Sequence, residues 1–467
     1  MNETVSHFGI FDLIIVIFYL AGTVVVGLLV ARGKIKTDED FALDGRRLGP
    51  IWLSLTAFAS WAGLAGTFGT PENVYKFGLS GTWWFMGWLP GIILMAYLLA
   101  ARLRKRLHIT VPDAVANKYD KYGPSVRIAT SLVTSWNYLA WAACQVFALS
   151  LIFNLFTGIS PIIGAIIAFL IVILYTLLGG FRAVVITDVI QALIMLSVIM
   201  IAAPILVLVK GGGWTVILSK TRDIPDFYTV FKGAGTKTLI VWLLSLFPAA
   251  FIDPGGLQRV FAAKDPGTAK RGLLLSALFY FFFGIAITFL GIASRAILPS
   301  IEANMAMPAL MSKLLPTGLL GLVIAAFLAT AMSTADTSLL IVASTLQRDI
   351  YAHFRPNITE KERLIVNRIL IVLLGLIALV VALKVPSVVS ILLLGFSIYV
   401  PGLLLPVLAA SFNLNLPNWA MLSTIIIGAG LSAIWVILKE PLVPAIVIGL
   451  VASVIPFSIG VATRKGK

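Results

Sequence analysis

Thr56-Ala-Phe-Ala-Ser-Trp-Ala-Gly-Leu-Ala-Gly-Thr-Phe-Gly-Thr-Pro71 is the stretch on which the reading of this chain turns. It falls in an apolar segment that crosses a bilayer, yet Gly63, Gly66, Gly69 and Pro71 weaken helix in its middle. Interrupted backbone at membrane depth is tolerated only where protein buries it or where it lines a cavity. Carbonyls freed by such a break can bind a cation, and half-helix ends can face a charged group of a solute. A second interruption follows at Leu246-Phe-Pro-Ala-Ala-Phe-Ile-Asp-Pro-Gly-Gly-Leu-Gln258, where Pro248, Asp253 and the Pro254-Gly255-Gly256 breaker close an apolar run. Two split helices in one chain predict a membrane protein that moves something.

The surrounding sequence fits that frame. Of 467 residues, 60% are hydrophobic and 12% charged, too little charge to cover a soluble domain of this length. Apolar runs long enough for a hydrocarbon core of about 30 Å recur at 8–30, 49–70, 80–101, 125–155, 157–178, 183–209, 237–258, 272–294, 317–345, 368–383, 387–411, 418–438 and 441–463. They predict an all-α membrane protein of about 13 transmembrane helices. The run at 8–30 is read as the first span, being too long for a cleaved leader and lacking a cleavage site.

The net charge of +15 would suggest nucleic acid in a soluble protein, but its distribution excludes that partner. Alternate loops hold 25 of the 35 Lys and Arg residues, beginning with Arg32, Lys34, Lys36, Arg46 and Arg47 and the Arg102–Arg106 cluster with Lys118, Lys121 and Arg127. Arg182, Arg259, Lys264, Lys270, Arg271, Arg348, Arg355, Lys361, Arg363 and Arg368 continue the set, which ends at Arg464, Lys465 and Lys467. Cytoplasmic loops carry such an excess, so the N-terminus is expected outside and the C-terminus inside. The lone Cys144 excludes an internal disulfide, and His7, His108 and His353 are scattered near span ends, as ordinary loop residues are.

Each break lies in the first helix of a five-span unit, 49–209 or 237–411. Five is odd, so the second unit enters the membrane from the opposite side, which is the arithmetic of an inverted repeat. The helix at 8–30 and the pair at 418–463 are then additions to one membrane domain, 1–467. Residues 301–312 are expected to form a short helix outside the membrane.

Asp188, Asp253 and Asp336 are carboxylates within the apolar runs, where each costs about 3 kcal/mol or more and so faces a pathway or a partner. Thr330, Ser333, Thr334, Asp336 and Thr337 put five oxygen side chains into eight positions, and Ser333, Asp336 and Thr337 share a helical face. Such oxygens suit a hard monovalent cation whose hydration shell they replace. Single hydroxyls in spans more often bond their own backbone. Asp188 lies about two turns inside its span and reads as a second cation ligand, the bland alternative being an ion pair with Arg182.

Gly179-Gly-Phe-Arg-Ala-Val-Val-Ile-Thr-Asp-Val-Ile-Gln191, Met332-Ser-Thr-Ala-Asp-Thr-Ser-Leu-Leu340, Gln347-Arg-Asp-Ile-Tyr351 and Gly395-Phe-Ser-Ile-Tyr-Val-Pro-Gly-Leu-Leu-Leu-Pro406 give the chain a resemblance to the solute:sodium symporter family, loosely nearest its proline and pantothenate branch. The resemblance implies the leucine-transporter fold of inverted five-helix repeats, transport rather than enzymatic activity, and a plasma-membrane setting. It implies a shared sodium site from the carbonyls of Ala59, Ala62 and Thr330 and the hydroxyls of Ser333 and Thr334. A second sodium, carried by some members, would match Asp188, Ser333, Asp336 and Thr337. Trp61 stands where some members have a polar or acidic residue, which removes a side-chain ligand and leaves the carbonyls.

In such a fold the solute lies between the split helices, which makes Trp61, Gly63, Gly66, Trp84, Trp141, Asp253, Phe396 and Tyr399 the candidates. Aromatic walls suit a small, partly apolar solute, and an amino acid or a monocarboxylate is favoured. Asp253 has a second reading, as the cap of a half-helix. The expected function is sodium-coupled symport by alternating access, with one or two sodium ions and the lipid bilayer as partners and no metal cluster or catalytic residue. Two alternatives remain open at this point: proton coupling through Asp188 and Asp336, and a transporter-like sensor acting through a separate partner. The oligomeric state is not readable.

Overall fold

The computed structural model describes residues 8–31, 37–116, 123–384, 388–414, 416–439 and 443–463. Within them the chain is helical, with one isolated bridge between Leu48 and Ala263. Eleven helices among the described residues are long and apolar enough to cross a membrane, against the 13 spans expected. The span expected at 49–70 is divided into Pro50–Trp61 and the start of Leu64–Phe77, and 64–104 then counts as one apolar stretch despite the turn at Gly78–Thr82. The spans expected at 157–178 and 183–209 are two helices joined across a kink at Gly180 (φ 54°, ψ −156°); the second counts as Gly180–Lys210, while the apolar stretch Pro161–Leu174 of the first is too short to count. His7 and the basic residues Arg32, Lys34, Lys36, Lys118, Lys121, Arg464, Lys465 and Lys467 lie outside the described residues.

Burial separates the helices into a centre and a periphery. Leu319–Thr345 is buried on all sides almost throughout, whereas the N-terminal helix Ile10–Ala31 and the helix Glu360–Lys384 expose Ile and Leu side chains along their lengths. Exposed apolar side chains on outer helices are what lipid contact requires. Small residues let the central helices approach. A Cβ at Gly63 would sit 2.7 Å from the Thr334 hydroxyl and 3.1 Å from the Gln145 amide, so the first split helix meets the central helix only because this residue has no side chain.

Both expected breaks are present. The first divides Pro50–Trp61 from Leu64–Phe77 at Ala62 and Gly63, and the second divides Thr236–Phe251 from Pro254–Ala262 at Ile252 and Asp253. Pro71 and Pro248 lie inside helices rather than at the breaks. The short helix anticipated at 301–312 forms as Ala306–Leu314, with Met307, Leu310 and Met311 fully buried.

At the inner end as read from loop charge, arginines close carbonyl ends of neighbouring helices. Arg46 donates to the carbonyls of His108 (3.1 Å) and Phe261 (3.0 Å), and Arg104 to that of Ala263 (2.5 Å). Positive charge at helix C-termini is favourable. Nearby Asp113 lies between spans: burial opposes its ionisation, but the His108 hydrogen bond and the Arg127 guanidinium at 3.5 Å outweigh that and hold its carboxyl at about 2.

The N-terminal helix is fastened to the central one through Asp12, which is fully buried. Its Oδ1 accepts from the backbone N–H groups of Gly318 (2.7 Å) and Gly321 (2.6 Å), at the start of Leu319–Thr345, and Oδ2 accepts from Gly9 (2.9 Å). The carboxylate thus caps a helix from outside it. In Asp12→Asn an amide N–H must face one of these donors, and a loss of about 1–2 kcal/mol is expected. A midpoint of thermal unfolding unchanged from that of the native chain would contradict this account.

Candidate functional site

The first break frees the last carbonyls of Pro50–Trp61. In an unbroken helix the Leu64 N–H would return to the carbonyl of Ser60. Here it goes to the Gln145 side chain at 3.0 Å, and the Ser60 carbonyl accepts from the Thr334 hydroxyl at 3.0 Å. Ser333 donates to the Ala59 carbonyl at 2.9 Å, and both hydroxyls also lie against the Thr330 carbonyl, at 3.2 and 3.3 Å. Ala59, Thr330, Ser333 and Thr334, four of the five residues expected at the shared ion site, therefore meet. The fifth, Ala62, has its carbonyl occupied by Thr67 Oγ1 at 3.2 Å, and Ser60 joins the cluster in its place. All these oxygens are buried and uncharged. A monovalent cation could bind there by exchanging the interhelical hydrogen bonds for ion contacts.

The second candidate ion site is assembled differently from the expectation. Asp188 does not pair with Arg182, which reaches Asp44 at 3.4 Å. Its Oδ2 accepts from Thr56 Oγ1 at 2.5 Å and from Arg259 Nη2 at 3.1 Å. Arg259 had been assigned to a cytoplasmic loop. It lies instead in the half-helix Pro254–Ala262 and is completely buried, so it drops out of the loop-charge count. Thr337 Oγ1 joins the group, 3.1 Å from Ser60 Oγ and 2.8 Å from Arg259 Nη2. The carboxylate of Asp336, also buried, accepts from the Thr337 backbone N–H at 2.5 Å.

Two adjoining cavities occupy the space between the split helices. One is lined by Trp61, Gly66, Trp84, Trp141 and Phe396 of the expected set, together with Ala65, Phe85, Trp88, Leu246, Tyr280 and Leu392. Trp88, Trp141 and Phe396 pack with ring centroids 5.7–6.1 Å apart. The indole N–H groups of Trp88 and Trp141 are buried without hydrogen-bond partners, whereas that of Trp84 donates to the Ala65 carbonyl at 2.9 Å. The second cavity has a more polar lining and runs from Trp61, Tyr138 and Asp253 to Ser60, Thr334, Thr337 and Ser338. Trp61 and Trp141 line both.

Asp253 is saturated by its own protein. Oδ2 accepts from Trp61 Nε1 (2.8 Å) and from the Gly256 N–H (2.7 Å), and Oδ1 accepts from the Tyr138 hydroxyl (2.6 Å). It caps the half-helix while tying it to the end of the first split helix. Tyr399 bonds the Ile252 carbonyl at 2.8 Å and steadies the same break rather than lining either cavity. Gly63 likewise packs on Thr334.

Arg259, Gln145 and Trp88 were missed by the sequence reading. A polar Gln145 amid an apolar span was the available signal for one, and the run Trp83-Trp-Phe-Met-Gly-Trp88 for another. Arg259, one position beyond an apolar run, reads as a loop charge from the sequence.

The model of the sodium:solute symporter family matches residues 41–428. The chain is 26% identical to an osmoregulated proline transporter of Bacillus subtilis over 90% of each chain. It is 27% identical to the sodium/proline symporter of Escherichia coli over 78% of this chain and 75% of that one. Among solved structures, a sodium-coupled sialic acid symporter in a substrate-bound outward-open state superposes with a TM-score of 0.84 at 20% identity, covering 98% of both chains. MhsT in complex with L-phenylalanine superposes with a TM-score of 0.52 at 14% identity, over 88% of this chain and 97% of that one.

Proposed function

This chain belongs to the sodium:solute symporter family, and from that premise we propose that its solute is a small zwitterionic amino acid of proline's size, bound beside a sodium ion held by Ala59, Thr330, Ser333 and Thr334. As a member it is a multi-pass secondary active transporter with a leucine-transporter-type fold, moves a small organic solute with sodium, and is not an enzyme. The observation that carries the ion assignment is the meeting of carbonyls freed at the first break with the two hydroxyls of the central helix.

Two features support the solute class. Named relatives transport proline. The aromatic residues between the split helices form the cavity wall nearest the ion cluster. Its two unpartnered indole N–H groups suit a carboxylate, which can accept both. Carrying the ion at the break and the solute against Trp61 makes each stabilise the same arrangement of helices, and binding of the two is then reciprocally favourable.

The same reading places the protein in the plasma membrane with 13 crossings, N-terminus outside and C-terminus inside, and with units 49–209 and 237–411 as inverted repeats. It is supported by one break in the first helix of each unit. Purified protein in liposomes tests the function. An inward sodium gradient is expected to raise initial proline uptake at least tenfold over choline, while a pH gradient without sodium leaves it at background. Uptake driven by the pH gradient alone would transfer the coupling to protons. Sodium-driven uptake of another solute that proline does not compete for would overturn the solute class.

A further inference from the structure

Four oxygens surround one nitrogen of Arg259. Its Nη2 lies 2.6 Å from Ser60 Oγ, 2.8 Å from Thr337 Oγ1, 3.1 Å from Asp188 Oδ2 and 3.2 Å from Thr56 Oγ1. An NH2 group has two hydrogens, so it cannot satisfy four acceptors with separate linear bonds. The arrangement resembles the oxygen shell of a bound cation more than a set of paired hydrogen bonds. Three separate helices supply it: Pro50–Trp61, Pro161–Ile194 and Leu319–Thr345. A fourth, the half-helix Pro254–Ala262, delivers the charge. Two of the oxygens, those of Asp188 and Thr337, belong to the set expected to bind a second sodium.

We propose that Arg259 is a tethered cation filling the second ion site, so that the chain binds one sodium ion and not two. The inference rests on the sodium reading of the shared site, but concerns a different cluster. A guanidinium and a sodium ion cannot share this shell. Their charges repel at contact distance, and burial leaves no water between them to screen the repulsion. The covalent tether also makes this cation a reporter of the second split helix. Whenever that half-helix withdraws, the charge leaves Asp188, and whenever it returns, Asp188 is neutralised without an ion from solution. Removing the guanidinium would uncover Asp188, whose Oδ1 is already buried without a partner, and a sodium ion could then take the vacated shell.

Equilibrium binding of radiolabelled sodium to the purified full-length protein decides this. The native chain is expected to bind one ion, Arg259→Lys one, and Arg259→Gln and Arg259→Ala two, with Asp188→Asn cancelling the gain in the Arg259→Gln background. A merely structural arginine would lose stability on substitution without gaining an ion. Two ions in the native chain, or no gain in either neutral variant, overturns the proposal. If both neutral variants fail to fold, the native count alone still discriminates. Failure of the shared site is seen separately: Ser333→Ala with Thr334→Ala then leaves the native count unchanged, whatever Arg259→Gln does.

Discussion

Ser333→Ala combined with Thr334→Ala is expected to raise the sodium concentration for half-maximal uptake about 100-fold. Each hydroxyl that contacts an ion contributes about 1.5–3 kcal/mol, as hydrogen bonds to charged groups do. The lower figure taken twice is about 3 kcal/mol, and every 1.4 kcal/mol is tenfold in affinity. Without sodium the same hydroxyls hold the Ala59 and Ser60 carbonyls at 2.9 and 3.0 Å, so the double variant also loosens the first break. That second effect lowers the maximal rate rather than the sodium affinity, and a sodium titration of initial uptake separates them. Ser276→Ala is the control, because its hydroxyl bonds only the Leu273 carbonyl of its own helix at 2.8 Å. Unchanged sodium dependence in the double variant would remove these residues from the ion site.

The two breaks were legible because glycine and proline act locally: Gly63 and the Pro254-Gly255-Gly256 run disfavour helix whatever surrounds them. The Ser333–Thr337 cluster was legible for a related reason, since helical spacing alone brings its oxygens together. Arg259 was not. Its meaning depends on Asp188, 71 positions away, and on Thr56, 203 positions away, and only the packed fold brings these together. Sequence places an arginine just beyond an apolar run in a loop, because an isolated charge there would reach for water. The half-helix Pro254–Ala262 continues inward instead, with the charge matched by oxygens from three helices. Gln145 illustrates the same limit. Its amide replaces a helical hydrogen bond lost at a break more than 80 residues earlier, a service no local pattern encodes.

Asp253→Ala is expected to cost about 4 kcal/mol of stability and to reduce uptake more than 100-fold. The carboxylate accepts three buried donors, from Trp61, Tyr138 and Gly256, and each donor left without a partner costs about 1–3 kcal/mol. Relaxation recovers part of the total, which is why the estimate stays near the lower end of the sum. The loss of transport has a separate cause. Trp61 ends the first split helix and lines both cavities, while Gly256 belongs to the second split helix, so Asp253 links the two breaks. Trp61→Phe keeps an aromatic wall but removes one of the three bonds, and a loss of about 1 kcal/mol with partial uptake is expected. Tyr138→Phe, which also strips the Gly255 N–H of its 2.7 Å acceptor, should cost more than Trp61→Phe. The competing role for Asp253, direct binding of the solute's ammonium group, makes a different prediction. It requires Asp253→Asn to raise the solute KM with the unfolding temperature unchanged, because a solute ligand is not needed to hold the empty protein together. A latch requires the reverse order of effects: stability falls first, in the absence of solute, and the KM changes less than the maximal rate. Thermal unfolding of solute-free protein beside a solute titration of uptake separates the two, and a stable Asp253→Asn with a selectively raised KM would return this carboxylate to the solute site.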